Sequence, residues 1–229
     1  AGELHYKTTK TISEYLEQKG GQLIYISTDS LFDGKKNSPY TETDQINPLN
    51  VYAKTKLAGE KPVINMKNGL ILRTNIIGWS RDEKLSFAEW ILKDLVEGKT
   101  VHLFDDVIFS PLHVSDLSGI ISELIEKRTT GLFHVASDTP ISKYEFGLML
   151  ADVFGLDKKQ IIKSSIKNKG LTAVRPLNMS LSSNKLSSIL KKKMYKPERS
   201  IRLLKKQYNN GWLSTIKGRN LQNSYHFWE

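Results

Sequence analysis

Apolar residues along this chain switch between two spacings, and the switches outline its elements. Between Glu3 and Lys19 they fall at Leu4, Ile12, Tyr15 and Leu16, a helical spacing that Gly20-Gly21 stops. Gln22 to Ser27 is then apolar nearly throughout, as in a strand covered on both faces. Ser30 to Leu49 holds few apolar residues and many turn formers, which predicts a long loop, and long ordered loops are often functional. Asn50 is placed to cap a helix from Val51 to Met66, in which Pro62 predicts a kink or an early end. Gly69 to Ile77 reads as a second buried strand. Helices follow at Leu85 to Val96 and Val114 to Lys127, with strands at Thr100 to Phe104 and Gly131 to Ala136. Ser142, with Glu145 three residues on, predicts a capping box at the head of a helix reaching Phe154. A short strand at Lys159 to Ser164 and helices at Asn184 to Lys191 and Glu198 to Tyr208 complete the pattern.

Strand and helix thus alternate, the order of an α/β fold with mostly parallel strands. A boundary near Gly98 divides the chain into residues 1–98 and a smaller α+β region, 99–210, leaving 211–229 as a tail. From Lys217 onward the tail has no periodicity but carries Tyr225, Phe227 and Trp228, which leaves a docking segment, a tag remnant and a disordered end all open.

Composition narrows the classes. The 229 residues suffice for a sizeable core, and 39% apolar with 25% charged residues is ordinary for a globular protein. No cysteine is present, so a disulfide, a thiolate metal site or a redox thiol is excluded. No run approaches the ~18 apolar residues of a membrane span, and no signal pattern opens the chain, so neither membrane insertion nor secretion is expected. The net charge of +10 concentrates at Lys191-Lys192-Lys193, Lys196, Arg199, Arg202, Lys205 and Lys206. A solvated helix face accounts for this run more simply than a nucleic-acid surface does. The five histidines lack H-x-H or H-x-x-x-H spacing, so no metal is expected, and Phe133-His134 reads as a buried strand histidine.

The chemistry centres on Tyr52 and Lys56. Four residues apart on a helix, they share one face. A tyrosine, with an ordinary pKa near ~10, donates a proton at neutral pH only if its phenolate is stabilised, and an ammonium one turn away does so. A hydroxyl such as Thr28, at the end of the first strand, can fix the carbonyl that receives the proton. The hydride of such a reduction must come from a nicotinamide, because no side chain supplies one.

Tyr-x-x-x-Lys alone is common in helices, and its context carries more weight. Ser27-Thr28-Asp29-Ser30-Leu31-Phe32-Asp33-Gly34, Tyr40-Thr41-Glu42-Thr43-Asp44, Asn47-Pro48 and Tyr52-x-x-x-Lys56-x-x-Gly59-Glu60 resemble the extended short-chain dehydrogenases/reductases. They are most similar to the dTDP-4-dehydrorhamnose reductase family. Leu72-Arg73-Thr74, His113-Val114-Ser115-Asp116-Leu117 and Arg175-Pro176-Leu177-Asn178 match further signposts in order. The resemblance implies a Rossmann-like sheet and NADPH- or NADH-dependent reduction of a nucleotide-linked 4-keto-6-deoxy sugar, in a cytoplasmic homodimer making surface-polysaccharide precursors. It implies Thr28, Tyr52 and Lys56 as the catalytic set. It places Ser27, Tyr52, Lys56 and Asn75 at the cofactor, and Thr28, Asp29, Ser30, Asn75 and Arg175 at the substrate.

The departures are specific. Ser30 stands where the family has a tyrosine, Asn75-Ile76 where an aromatic is frequent, and Ala53 where glycine is usual. The G-x-x-G-x-x-G turn that holds a dinucleotide pyrophosphate does not occur. Aligned on Thr28, the chain begins about 75–80 residues late, room for two βα units, so a fragment of a longer protein is expected. Two rivals remain: a sugar-nucleotide epimerase with the same Tyr/Lys pair, and a non-catalytic regulatory or binding subunit on this fold.

Overall fold

The computed structural model describes residues 2–81, 84–168 and 176–217. In chain order the first half comprises α1 (Gly2–Lys19), β1 (Leu23–Thr28), α2 (Val51–Ile64), β2 (Gly69–Thr74), β3 (Ile76–Ile77), α3 (Phe87–Val96), β4 (Val101–Phe104), β5 (Ile108–Phe109) and β6 (Leu112–His113). Then come α4 (Val114–Glu126), β7 (Gly131–Val135), β8 (Ile141–Ser142), α5 (Lys143–Phe154), β9 (Ile161–Ser164), α6 (Asn184–Leu190), α7 (Pro197–Asn209) and α8 (Trp212–Lys217).

β1, β2 and β7 form a parallel sheet with β2 in the middle, every residue of it buried. Its side chains alternate between two covers, as the pleat requires. Leu70 and Leu72 meet Leu117, Ile120 and Leu124 of α4 and Leu186 and Leu190 of α6. Arg73 turns the other way, to α2, against which α1 packs. The parallel register sets Ser27 opposite Arg73 and Thr28 opposite Thr74, so the two strands end together.

A second core gathers Ile91, Leu92 and Leu95 of α3, Leu103, Phe109, Phe146, Leu150, and Ile201 and Leu204 of α7. Both cores draw on residues from either side of Gly98. The sheet is the mixed α/β, mostly parallel arrangement expected. Two differences have local causes. The strand expected over Gly69 to Ile77 divides at Asn75, whose side chain bonds Asp29 while its carbonyl accepts from the Leu112 N–H. The α2 helix ends at Ile64, two residues after Pro62 and short of Met66, the early end that a proline without a ladder N–H favours.

Capping explains the helix starts. Asn50 Oδ1 accepts from the Ala53 N–H at 2.9 Å. Ser142 and Glu145 form the expected box, with bonds of 3.0 and 2.7 Å. Ser86 and Glu89 form another ahead of α3. Three members of the basic run pair with acids: Lys192 with Glu123, Arg199 with Asp116 and Arg202 with Glu198. Among the described residues no helix is long and apolar enough to cross a membrane.

His134 is buried in β7, its Nδ1 donating to the Tyr40 carbonyl at 2.9 Å. Burial, reinforced by the Arg73 charge, holds its pKa down to about 3. An unfolded histidine takes up its proton near ~6.5, so between there and about 3 the unfolded chain binds more protons than the fold. Stability therefore falls as pH drops through that interval, by at most about 1.4 kcal/mol per pH unit from this group. Urea titrations across the interval should show a shallower slope in His134→Gln.

Candidate active site

Ligands of open parallel sheets bind beyond the carboxyl ends of the strands, and there the predicted residues converge. β1 ends at Thr28, whose Oγ1 accepts from the Ser30 N–H at 3.2 Å and donates to Asp29 Oδ1 at 3.1 Å. Asp29, 2% exposed, also accepts from Ser30 Oγ at 3.2 Å and Asn75 Nδ2 at 2.5 Å. Burial pushes its carboxyl pKa up, while the Asn75 bond and the Lys143 charge pull against that.

The first turns of α2 bring in Tyr52 and Lys56. Lys56 Nζ donates to the Ile26 carbonyl at 2.6 Å and lies 4.7 Å from the centre of the Tyr25 ring. Burial lowers its pKa, and the Glu60 carboxylate opposes the shift. Tyr52 is half exposed, and its hydroxyl has no side-chain partner among the described residues.

Ser27, Thr28, Asp29, Ser30, Tyr52, Lys56 and Asn75 all line one cleft of about 470 Å³. Every predicted site residue is thus brought together except Arg175, which lies outside the described residues. A larger cleft of about 1090 Å³ adjoins it, sharing Ser30, Tyr52 and Asn75, and is walled by Phe87, Trp90, Phe104, Val107 and Met179, with Lys143 among them. Tyr52 stands at the seam between the two. No cluster of three or more metal-ligating side chains occurs among the described residues.

Other contributors could not be read from the sequence. Thr74 Oγ1, like the Oγ of the predicted Ser27, is buried with no hydrogen-bond partner among the described residues, and both line the smaller cleft. Buried hydroxyls are normally paired, so these two mark where a polar ligand would be met. Glu60, one turn beyond Lys56, grips Arg73 of β2 through bonds of 2.9 and 2.7 Å, both residues being 3% exposed or less. An arginine inside the apolar run Leu70-Ile71-Leu72 signalled such a pair, since a buried charge needs a partner. Gly59 admits the Tyr25 hydroxyl, which would clash with any Cβ there. Gly59→Ala should therefore lift α2 off β1 and cost about 1–3 kcal/mol, read as a lower urea midpoint.

A parallel sheet covered on both faces, with a Thr/Tyr/Lys cleft at its carboxyl edge, is the arrangement of an extended short-chain dehydrogenase/reductase. Residues 1–209 match the RmlD substrate binding domain, and the chain belongs to that family. It is 32% identical over 208 residues to methionine adenosyltransferase 2 subunit beta of Rattus norvegicus, covering 82% of this chain and 58% of the relative. It is 32% identical over 157 residues to the probable low-salt glycan biosynthesis reductase Agl14 of Haloferax volcanii, covering 67% and 52%. The structure of dTDP-4-dehydrorhamnose reductase from Bacillus anthracis, in complex with NADP, superposes with a TM-score of 0.78 at 25% identity, covering 87% of this chain and 70% of that one. The chain thus spans little more than half the length of the curated relatives it matches.

Proposed function

We propose that the whole protein reduces the 4-keto group of a nucleotide-linked 6-deoxy sugar with NADPH or NADH. The observation that carries this is the position of Tyr52, between a small polar cleft containing Lys56 and Thr28 and a larger, aromatic-walled one. The smaller cleft suits a nicotinamide ribose, because Lys56 lies beside it and Ser27 and Thr74 offer unpaired hydroxyls. The larger suits a sugar nucleotide, with apolar rings for a base and Lys143 and Lys54 for phosphates.

In this reading Thr28, its hydroxyl turned from Asp29 to the substrate, would hold the carbonyl oxygen and Tyr52 would give that oxygen a proton, while a dinucleotide held beside Lys56 would supply the hydride. Lys56, by its positive charge, would stabilise the phenolate left on Tyr52. The family resemblance supports a dinucleotide-binding half built of βα units. β1 has β2 as its one strand partner among the described residues, so its other edge offers such a half a place to join the sheet.

A regulatory role on the same fold is the second reading. The likeness to methionine adenosyltransferase 2 subunit beta favours it, as do Ser30 and Ile76 at positions where the family places aromatics. The discriminating experiment incubates the whole protein with NADPH and a panel of dTDP- and UDP-linked 4-keto sugars. Dinucleotide oxidation with one of them supports the reductase. Dinucleotide binding without oxidation across the panel supports the regulatory subunit.

A further inference from the structure

The lysine of the Tyr52–Lys56 pair is supported from beneath by a residue that none of the roles above includes. Tyr25 lies on β1, where its neighbours Leu23, Ile24 and Ile26 are aliphatic. Three contacts from one turn of α2 converge on it. Its ring faces the Lys56 ammonium at 4.7 Å. Its hydroxyl donates to the Lys56 carbonyl oxygen at 3.2 Å. The same hydroxyl occupies the notch left by Gly59. The next residue of that turn, Glu60, is fixed in its own place by Arg73.

We propose that Tyr25 is a positioning residue for the Tyr52–Lys56 pair, its ring face holding the Lys56 ammonium charged at the Ile26 carbonyl while its hydroxyl fixes the helical turn that carries it. An aromatic face attracts an ammonium and not a neutral amine. It therefore works with the Glu60 carboxylate against burial, which favours the neutral amine. The charged and titratable groups around the ammonium are Glu60 and Tyr52 on its own helix and Tyr25 on β1. Burial, with the charges of Glu60 and Tyr52, pushes the Tyr25 phenol up to about 12, so it remains a neutral donor through the range where Tyr52 must act.

The inference rests on the proposed roles of Tyr52 and Lys56, but its test reads the lysine directly and needs no turnover. The whole protein is labelled in its lysine side chains, Lys56 is assigned with Lys56→Gln, and its titration is followed by NMR. The comparison is wild type, Tyr25→Phe, Tyr25→Leu, and trifluorophenylalanine in place of Tyr25, which keeps the shape of Phe but weakens the ring's negative face. The pKa of Lys56 should stay near wild type with Phe, and fall by roughly half to one and a half pH units with Leu and with the fluorinated ring. Should Tyr25→Leu fail to fold, the Phe and trifluorophenylalanine forms decide the matter by themselves. Equal Lys56 titration in those two would overturn the proposal. An inactive wild type with the predicted lysine shifts would instead count against the reductase reading alone.

Discussion

Tyr52→Phe should reduce keto-sugar turnover by about 10²–10⁴, the contribution of a positioned general acid. Tyr52 is half exposed at the seam of the two clefts, so the substitution should leave the fold intact. The loss should fall on kcat, with dinucleotide affinity nearly unchanged, because the ring stays and one hydroxyl goes. Steady-state kinetics beside a dinucleotide titration separate the two effects. A fall in affinity with kcat preserved would make Tyr52 a binding residue and remove the acid from the account.

Glu60→Ala should destabilise the protein by about 3–5 kcal/mol, because it strands the Arg73 guanidinium in the interior. Replacing both partners with apolar residues, Glu60→Met with Arg73→Leu, should recover most of that loss, since no unpaired charge then remains. Urea denaturation of the three forms reads this directly. The pair also joins α2 to β2 one turn from Lys56, so the double variant should fold well and yet reduce slowly. A Glu60→Ala protein within about 1 kcal/mol of wild type would show that the ion pair is not what holds α2 to the sheet.

How far these features could be read in advance depended on how local their causes are. Capping at Asn50 and Ser142 was legible because a cap is settled within four residues. The central strands were legible because strands covered on both faces leave an unbroken apolar run. The two-residue pairing of β5 with β8 was not, since no period can show in so short a piece. At the site, Tyr52 and Lys56 share a helix, and their spacing was enough to join them. Tyr25, Gly59, Glu60 and Arg73 act across the packing of α2 on the sheet, which no spacing along the chain expresses. The aromatic wall of Phe87 and Trp90 reads locally as one face of an amphipathic helix, and only the fold turns it toward Tyr52.

The most direct test of the central claim follows the hydride. The whole protein would be incubated with NADPH deuterated at C4 of the nicotinamide and with a dTDP-linked 4-keto-6-deoxy sugar, and the product analysed by mass spectrometry and NMR. The expected product carries one deuterium, on C4 of the sugar and from one face of the nicotinamide, and forms about 10²–10⁴ more slowly with Tyr52→Phe. A protein that binds both ligands and returns the keto sugar unlabelled and unreduced would contradict the claim.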